Sequence, residues 1–237
     1  MLQNFLIPMK DGWPLKLITP IHGGCIRILG SRAAGVTSVA DLRGKAFGIP
    51  AGPVQSLATM VFKLILMENG LDPSEVTLVP VERENFLPVY AEGRIQGSAS
   101  IDPPAGMMMR RNLDLVEIAS NMSGPMEGRS CCVVAAGPRL WRDEPIVGVA
   151  LAGALSQAAD WTMANPDEAA GLVAKATPFP EKDVALTLRE MNYQVHKMPK
   201  LRDDVEMFAR NLKTLGAFPP DLDPKAFAAK TVAQVIC

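Results

Sequence analysis

Residues Pro20–Gly30, PIHGGCIRILG, bring together side-chain types that can do chemistry. His22 is one of two histidines in the chain, and Cys25 is one of four cysteines. An imidazole and a thiol this close suggest a nucleophile or metal ligands. The paired Gly23 and Gly24 suggest instead a bend at which the backbone touches a ligand. The rest of the sequence has to decide between these interpretations.

The sequence offers no partner set for catalysis or for a metal. It contains no Cys-x-x-Cys pair, no phosphate loop of the Gly-x-x-x-x-Gly-Lys kind and no ordered Ser-His-Asp set. Cys25 has no obvious base near it, so a small buried residue is the favoured interpretation. We therefore predict no enzyme activity, no metal site and no cofactor. His22, Gly23 and Gly24 become candidate ligand contacts, with a structural histidine and a plain strand kink as the alternatives.

A second candidate lies in GIPAGPVQS, where a strand that ends in glycine and proline leads into a helix. The first N–H groups of a helix lack partners within it, and its dipole favours an anion. Gly52 lets the backbone approach a ligand, and Gln55 and Ser56 offer side-chain donors. The alternative is an ordinary strand-to-helix turn. Ligand contact is favoured because α/β sheets bind at the carboxyl ends of their strands.

Two further stretches end or begin strands. In SASIDPP, Ser100 and Asp102 are candidate ligand contacts, and a cap on the following helix is the alternative role for Asp102. In RSCCVV, Cys131 and Cys132 point to opposite faces of a strand, so at most one reaches a ligand, and Cys131 is taken as the candidate.

Composition and patterning indicate an ordinary α/β protein. The 237 residues are 48% hydrophobic and 21% charged with a net charge of −1, which argues against nucleic acid or an anionic membrane as a partner. No apolar run reaches the roughly 18 residues that a membrane span needs. Helices are predicted at Ser38–Gly44, from Val54 to Gly70 and at Asp143–Asn165, and strands at Lys45–Pro50 and Val76–Val81. This alternation predicts a lobe with a largely parallel sheet.

The order of several motifs resembles the solute-binding proteins of nitrate, sulfonate and taurine ABC transporters, in the NMT1/THI5-like group. The matching stretches are GCIRIL, SVADLRGKAFGIPAG, LMENGLDPSEVTLVPV, AEGRIQGSASIDPP, SCCVVAAGPRLWRDEP and ADWTMANPDEAAGLV. The likeness extends from about Ile18 to Ala217. Gln96 and Gly97 stand where the family tends to have Asp-Ala.

The resemblance implies the type II periplasmic-binding-protein architecture, with two α/β lobes joined by two hinge strands. Residues 27–131 would form a complete lobe, and residues 1–26 with 132–237 would form the other. Relative to the family, the chain starts after most of the first βαβ half-lobe and shows no signal peptide. The expected location is the periplasm by resemblance, or the cytoplasm if the start is genuine. On this view PIHGGCIRILG is the first crossover strand between the lobes.

The function that the resemblance implies is capture of a small anionic or aromatic solute in a cleft between the lobes, by hinge closure, for an ABC permease. Direct membrane insertion is not expected. Two alternatives stay open: a THI5-like pyrimidine-synthesis enzyme, and a ligand-sensing or orphan binding module. The enzyme branch carries a longer cysteine-rich run with a histidine, whereas this sequence has only two adjacent cysteines there.

Overall fold

The computed structural model describes residues 1–52, 57–191, 193 and 201–233. The strands in these residues are β1 (Lys16–His22), β2 (Ile26–Ser31), β3 (Ala46–Pro50), β4 (Thr77–Val81), β5 (Gly97–Ile101), β6 (Leu115–Ser120) and β7 (Cys132–Ala136). The α-helices are α1 (Leu2–Lys10), α2 (Leu57–Glu68), α3 (Phe86–Ala91), α4 (Pro104–Arg111), α5 (Pro145–Ala164), α6 (Pro166–Ala176), α7 (Glu181–Glu190), α8 (Leu201–Thr214) and α9 (Pro224–Thr231). Within this described part, every helix is too short or too polar to cross a bilayer.

The chain divides into two compact units. The sheet unit consists of Cys25–Met126 and Ala170–Thr187, and the terminal unit consists of Met1–Gly24, Glu127–Ala169 and Leu188–Cys237. The lobes predicted from the family resemblance differ here, because they include residues 170–187 with the terminal segments. The division of the chain into two functional lobes stays a prediction.

Five strands of the sheet unit form a mixed sheet in the order β4-β3-β5-β2-β6. β3 runs parallel to β4 and β5, whereas β2 runs antiparallel to β5 and β6. The prediction of a largely parallel sheet is therefore correct for four strands and wrong for β2. As a consequence, the carboxyl ends of β3, β4, β5 and β6 lie at one edge together with the start of β2. We call this edge the carboxyl edge.

The core of the sheet unit forms where α2 packs on the sheet. Phe47 of β3 and Phe62 of α2 are fully buried and stack with ring centroids 3.6 Å apart. Helical spacing predicted this apolar face. Gly70 follows the helix with a φ of +73°, a backbone conformation that glycine adopts at little cost. This packing holds β3, and so its carboxyl end, in a fixed position.

Two predicted elements differ from the structure. PIHGGCIRILG is not one crossover strand, because β1 ends at His22 and β2 begins at Ile26. The chain leaves the strand conformation at the paired glycines, and the two strands pair with different partners. Residues 38–44 form only a single 3₁₀ turn at Ala40–Leu42. The carboxylate of Asp41 accepts hydrogen bonds from the backbone N–H groups of Thr37 and Ser38, which stabilises the turn without a longer helix.

In the terminal unit, β1 and β7 form a two-stranded antiparallel sheet. Helix α8 is amphipathic and buries Val205, Phe208 and Leu212. The predicted helix at Asp143–Asn165 is α5, which has a proline at its first position, where the missing N–H costs nothing. The strand pair therefore carries His22 at the end of β1 and Cys132 at the start of β7.

Candidate functional site

Gly52 lies just beyond β3 at the carboxyl edge of the sheet unit. Its φ is +129°, a value that side-chain-bearing residues rarely adopt, and no atom lies within 4 Å of where its Cβ would be. The Ala51 N–H donates to the Val81 carbonyl at 2.9 Å, which ties the residue directly after β3 to the end of β4. Gln55 and Ser56, the other two predicted contacts in this turn, lie outside the described residues. Gly52 is thus an exposed backbone position with open space above it.

An ion-pair cluster lies beneath the carboxyl edge. The Arg27 guanidinium donates from Nε to both carboxylate oxygens of Asp102, at 3.0 and 2.8 Å, and from Nη1 to Glu117 at 2.5 Å. The Asp102 side chain is completely buried, and Arg27 is nearly so. One cation therefore faces two carboxylates. An anion that approaches this edge would have to bind through neutral donors and backbone N–H groups rather than through Arg27.

Asp102 also has the capping role that the sequence offered as its alternative. Its Oδ1 accepts the N–H of Gly106 in the first turn of α4 at 3.0 Å, and its own N–H donates to the Cys25 carbonyl at 2.8 Å. Ser100 is the register partner of Arg27 across β5 and β2 and is buried. Both residues thus lie at the predicted strand end, and ligand contact by either one stays a prediction.

Sequence reasoning missed Asn121, which follows β6 at the same edge. Its Oδ1 accepts the N–H of Ile26 at 2.8 Å, and its backbone N–H donates to the Ile26 carbonyl at 3.1 Å. These bonds continue the β2–β6 ladder beyond its last strand pair. The asparagine directly after the strand LVEIAS is the feature that could have indicated this role. A buried asparagine at a strand end needs hydrogen-bond partners.

In the terminal unit, His22 lies at the carboxyl end of β1. Its Nδ1 is 2.7 Å from the Gly23 carbonyl, and its ring centroid is 5.5 Å from that of Tyr193. A carbonyl oxygen can only accept, so Nδ1 carries the proton in this contact. In the neutral ring Nε2 is then an acceptor, available to a ligand N–H or O–H, and in the imidazolium it becomes a donor to an anion.

The two adjacent cysteines have different surroundings. Cys131 is buried, its N–H donates to the His22 carbonyl at 3.0 Å, and its own carbonyl accepts the N–H of Leu2 at 2.8 Å. Cys132 is partly exposed and is the cross-strand partner of His22. Neighbouring residues of a strand face opposite ways. Cys132, and not the predicted Cys131, therefore lies beside His22.

The start of β7 is anchored to α8 through Asp204. This buried carboxylate accepts the N–H and hydroxyl of Ser130 at 2.9 and 2.6 Å, and the guanidinium of Arg129 at 3.1 Å. Three donors on one carboxylate fix the chain immediately before Cys131. No local pattern indicates this contact, since 74 residues separate Ser130 from Asp204.

His22 and Cys132 are also residue types that bind zinc. Ligand atoms of the two lie within 4.8 Å of one another. The absence of a metal stays a prediction.

Comparison with known proteins finds a matching family model and matching relatives. The family model described as NMT1/THI5 like matches residues 3–169. A protein of Brucella abortus, named only as a binding protein, is 23% identical over 141 residues, which is 60% of this chain and 43% of the relative. A Brucella suis protein with the same general name matches equally. The chain thus spans less than half the length of the curated relatives that it matches.

Solved structures share the fold. The alkanesulfonate-binding protein of Xanthomonas axonopodis pv. citri, bound to MOPS, has a TM-score of 0.73 at 18% identity, over 94% of this chain and 76% of that one. The periplasmic nitrate-binding protein of Synechocystis PCC 6803 has a TM-score of 0.76 at 14% identity, over 97% and 69%. The periplasmic aliphatic sulphonate binding protein of Escherichia coli gives 0.73 at 14%, over 97% and 76%. The expected periplasmic-binding-protein fold is confirmed.

Proposed function

The chain belongs to the NMT1/THI5-like family, and from this premise we propose that it is a solute-binding protein of an ABC importer that captures a small anionic or aromatic solute. Three structural neighbours are named for binding an alkanesulfonate, a sulphonate and nitrate, and two of these names give a periplasmic location. The proposal extends that kind of ligand, that location and a permease partner to this chain. No catalytic role is part of it.

The observation that carries the proposal is the carboxyl edge. Gly52, just beyond the end of β3, and Ser100, near the end of β5, both lie at this edge. Ligands of open α/β sheets bind at this edge because the loops that follow parallel strands gather there. With Arg27 matched by Asp102 and Glu117, selectivity for an anion would come from oriented N–H and O–H dipoles.

His22 is the residue of the terminal unit on which the proposal depends most. Its Nδ1 is held by the Gly23 carbonyl, which orients the ring and leaves Nε2 for the solute. In this proposal Gly23 and Gly24 let the solute approach the backbone closely. Cys131 lies beside them, because its N–H donates to the His22 carbonyl. Capture would follow hinge closure, in which the solute shifts the population toward a closed form that the permease recognises.

The test is a thermal-shift screen of the whole chain against nitrate, bicarbonate, taurine, ethanesulfonate, benzoate and the thiamine pyrimidine. A true ligand at about 100 times its dissociation constant adds about 2.7 kcal/mol to the free energy of unfolding, which raises the Tm by several degrees. We expect one class to do so. A shift only with the pyrimidine would favour the THI5-like alternative, and no shift with any compound would contradict the proposal.

His22→Ala is the variant that tests the site. Loss of a hydrogen bond to a charged ligand weakens binding about tenfold or more. The matched control is Thr214→Ala, which removes an exposed polar group at the end of α8 in the same unit. Equal affinity of the His22→Ala variant and the control for the ligand found in the screen, measured by calorimetry, would remove His22 from the site.

A further inference from the structure

The terminal unit contains a cavity of about 430 Å³ that the proposed function does not use. It lies where the chain leaves α1 and enters β1, it is bordered by the end of α9 and by Trp141, and it is open to solvent on one side. Lys16, at the first residue of β1, lines it, whereas His22 is the last residue of that strand. At about 3.3 Å per residue the two side chains are about 20 Å apart. The cavity is therefore separate from the predicted ligand contacts.

The cavity is positively charged. Lys16 and Lys230 both line it, and the Lys16 ammonium donates to the backbone carbonyl of Lys230. Lys10 also lines it and pairs with Asp11, which lies outside the lining. Among the described residues that form the wall there is no carboxylate. Burial, and next the charge of Lys230, lower the pKa of Lys16, as expected where two cations share a site without an anion.

Three aromatic rings, those of Trp13, Trp141 and Phe227, also line the cavity. The Lys16 ammonium lies 5.4 Å from the ring centroid of Trp141, and the indole N–H of Trp141 donates to the Pro14 carbonyl at 3.3 Å. These two contacts fix the orientation of the ring. Trp13 also lines the cavity and leaves 57% of its surface exposed, and Phe227 packs edge-on against Phe218 behind it. A planar ligand would cover apolar area that is now in water.

We propose that this cavity binds a small aromatic carboxylate, with the ring against Trp13 and Trp141 and the carboxylate beside Lys16 and Lys230. Cavities of small-molecule sites are mostly apolar with a few placed polar groups, and this one is at the small end of their size range. A simple inorganic anion would leave the indoles unused, and a neutral aromatic would leave the lysines unpaired. The inference does not depend on the function proposed above.

The first experiment titrates the whole chain with 2-naphthoate in a calorimeter, with 2-naphthamide and acetate as probes that lack the charge or the rings. We expect 2-naphthoate to bind at least about tenfold more tightly than either, because only it meets both kinds of wall. Equal binding of 2-naphthamide, or no heat with 2-naphthoate, would overturn the proposal.

Two variants place the binding in the cavity. Lys230→Gln removes an exposed ammonium, and we expect a loss of about three- to fivefold in affinity for 2-naphthoate. Lys225→Gln, on the same helix but outside the cavity, is its matched control and should change nothing. Trp13→Ala should cost about three- to tenfold, and Trp161→Ala, an exposed tryptophan elsewhere in the unit, should not.

His22→Ala separates the two sites. This variant should leave the affinity for 2-naphthoate unchanged and should lower the affinity for the ligand identified by the thermal-shift screen. If His22→Ala weakens 2-naphthoate and Lys230→Gln does not, the compound binds at the first site and the cavity proposal is wrong. Benzoate in the screen is itself an aromatic carboxylate, so its shift supports the transport proposal only where His22→Ala reduces it. If Lys230→Gln alone weakens binding of 2-naphthoate and no shift in the screen is reduced by His22→Ala, the cavity proposal holds and the transport proposal fails.

Discussion

Replacing Asp102 by asparagine tests whether the buried ion pair organises the carboxyl edge. Asparagine keeps an oxygen for the Gly106 N–H but removes the charge that faces Arg27. Breaking a buried pair by neutralising one partner costs about 3–5 kcal/mol, because the other charge stays buried. Glu117 still pairs with Arg27 from its partly exposed position, so we expect the lower end, about 3 kcal/mol. Asp102→Ala should cost about 1 kcal/mol more, since it also removes the cap of α4.

The assay is urea unfolding followed by far-ultraviolet circular dichroism. With a slope of about 1–3 kcal/mol per molar urea, the Asp102→Asn midpoint should fall by at least about 1 M. The three tryptophans, Trp13, Trp141 and Trp161, all belong to the terminal unit. Their fluorescence, recorded in parallel, therefore shows separately whether that unit is affected.

Asp183→Asn is the matched control for this prediction. Asp183 pairs with Arg110 at 2.9 Å within the same unit, but both side chains are partly exposed. Neutralising it should cost no more than about 1 kcal/mol, because water screens the pair. If Asp102→Asn costs as little as Asp183→Asn, the ion pair does not stabilise the edge and the reasoning is wrong.

Two further predictions follow from single residues of the sheet unit. Gly52→Ala should weaken binding of the ligand found in the thermal-shift screen, because its new methyl group would enter open space at the carboxyl edge, and the forbidden φ should cost about 1–3 kcal/mol of stability. Burial raises the pKa of Tyr90 well above its usual value, and its hydroxyl donates to Ser98 at 2.9 Å. This raised pKa contributes stability that is complete below the unfolded tyrosine pKa of about 10 and is lost as the pH rises above it. Tyr90→Phe should therefore lose less of its free energy of unfolding at alkaline pH than the parent chain does.

Each of these has its own comparison. Gly35 has a φ of +72°, also with open space around its Cβ position, and lies after β2 at the opposite edge of the sheet. Gly35→Ala should destabilise the chain but leave ligand affinity intact, and equal losses of affinity in both variants would place Gly52 outside the site. For Tyr90→Phe, urea midpoints between pH 8 and 11 that run parallel to those of the parent chain would contradict the argument.

Local sequence patterns determined the elements and the family. Apolar spacing and a closing glycine were enough to predict the helix that became α2, because a buried helix face repeats every three to four residues. The motifs around SVADLRGKAFGIPAG were enough to identify the NMT1/THI5-like family, which the family model confirms. Patterns this local need no knowledge of which strands pair.

Tertiary structure alone decided which side chains meet. The sequence selected Cys131, yet strand pairing puts Cys132 opposite His22, because a shift of one residue along a strand reverses its face. Arg27 and Asp102 are 75 residues apart, and Lys16 meets a carbonyl 214 residues away. Contacts at such separations depend on sheet register and helix packing, which leave no local pattern in the sequence. The ion pair beneath the carboxyl edge and the aromatic, cationic cavity are therefore properties of the fold.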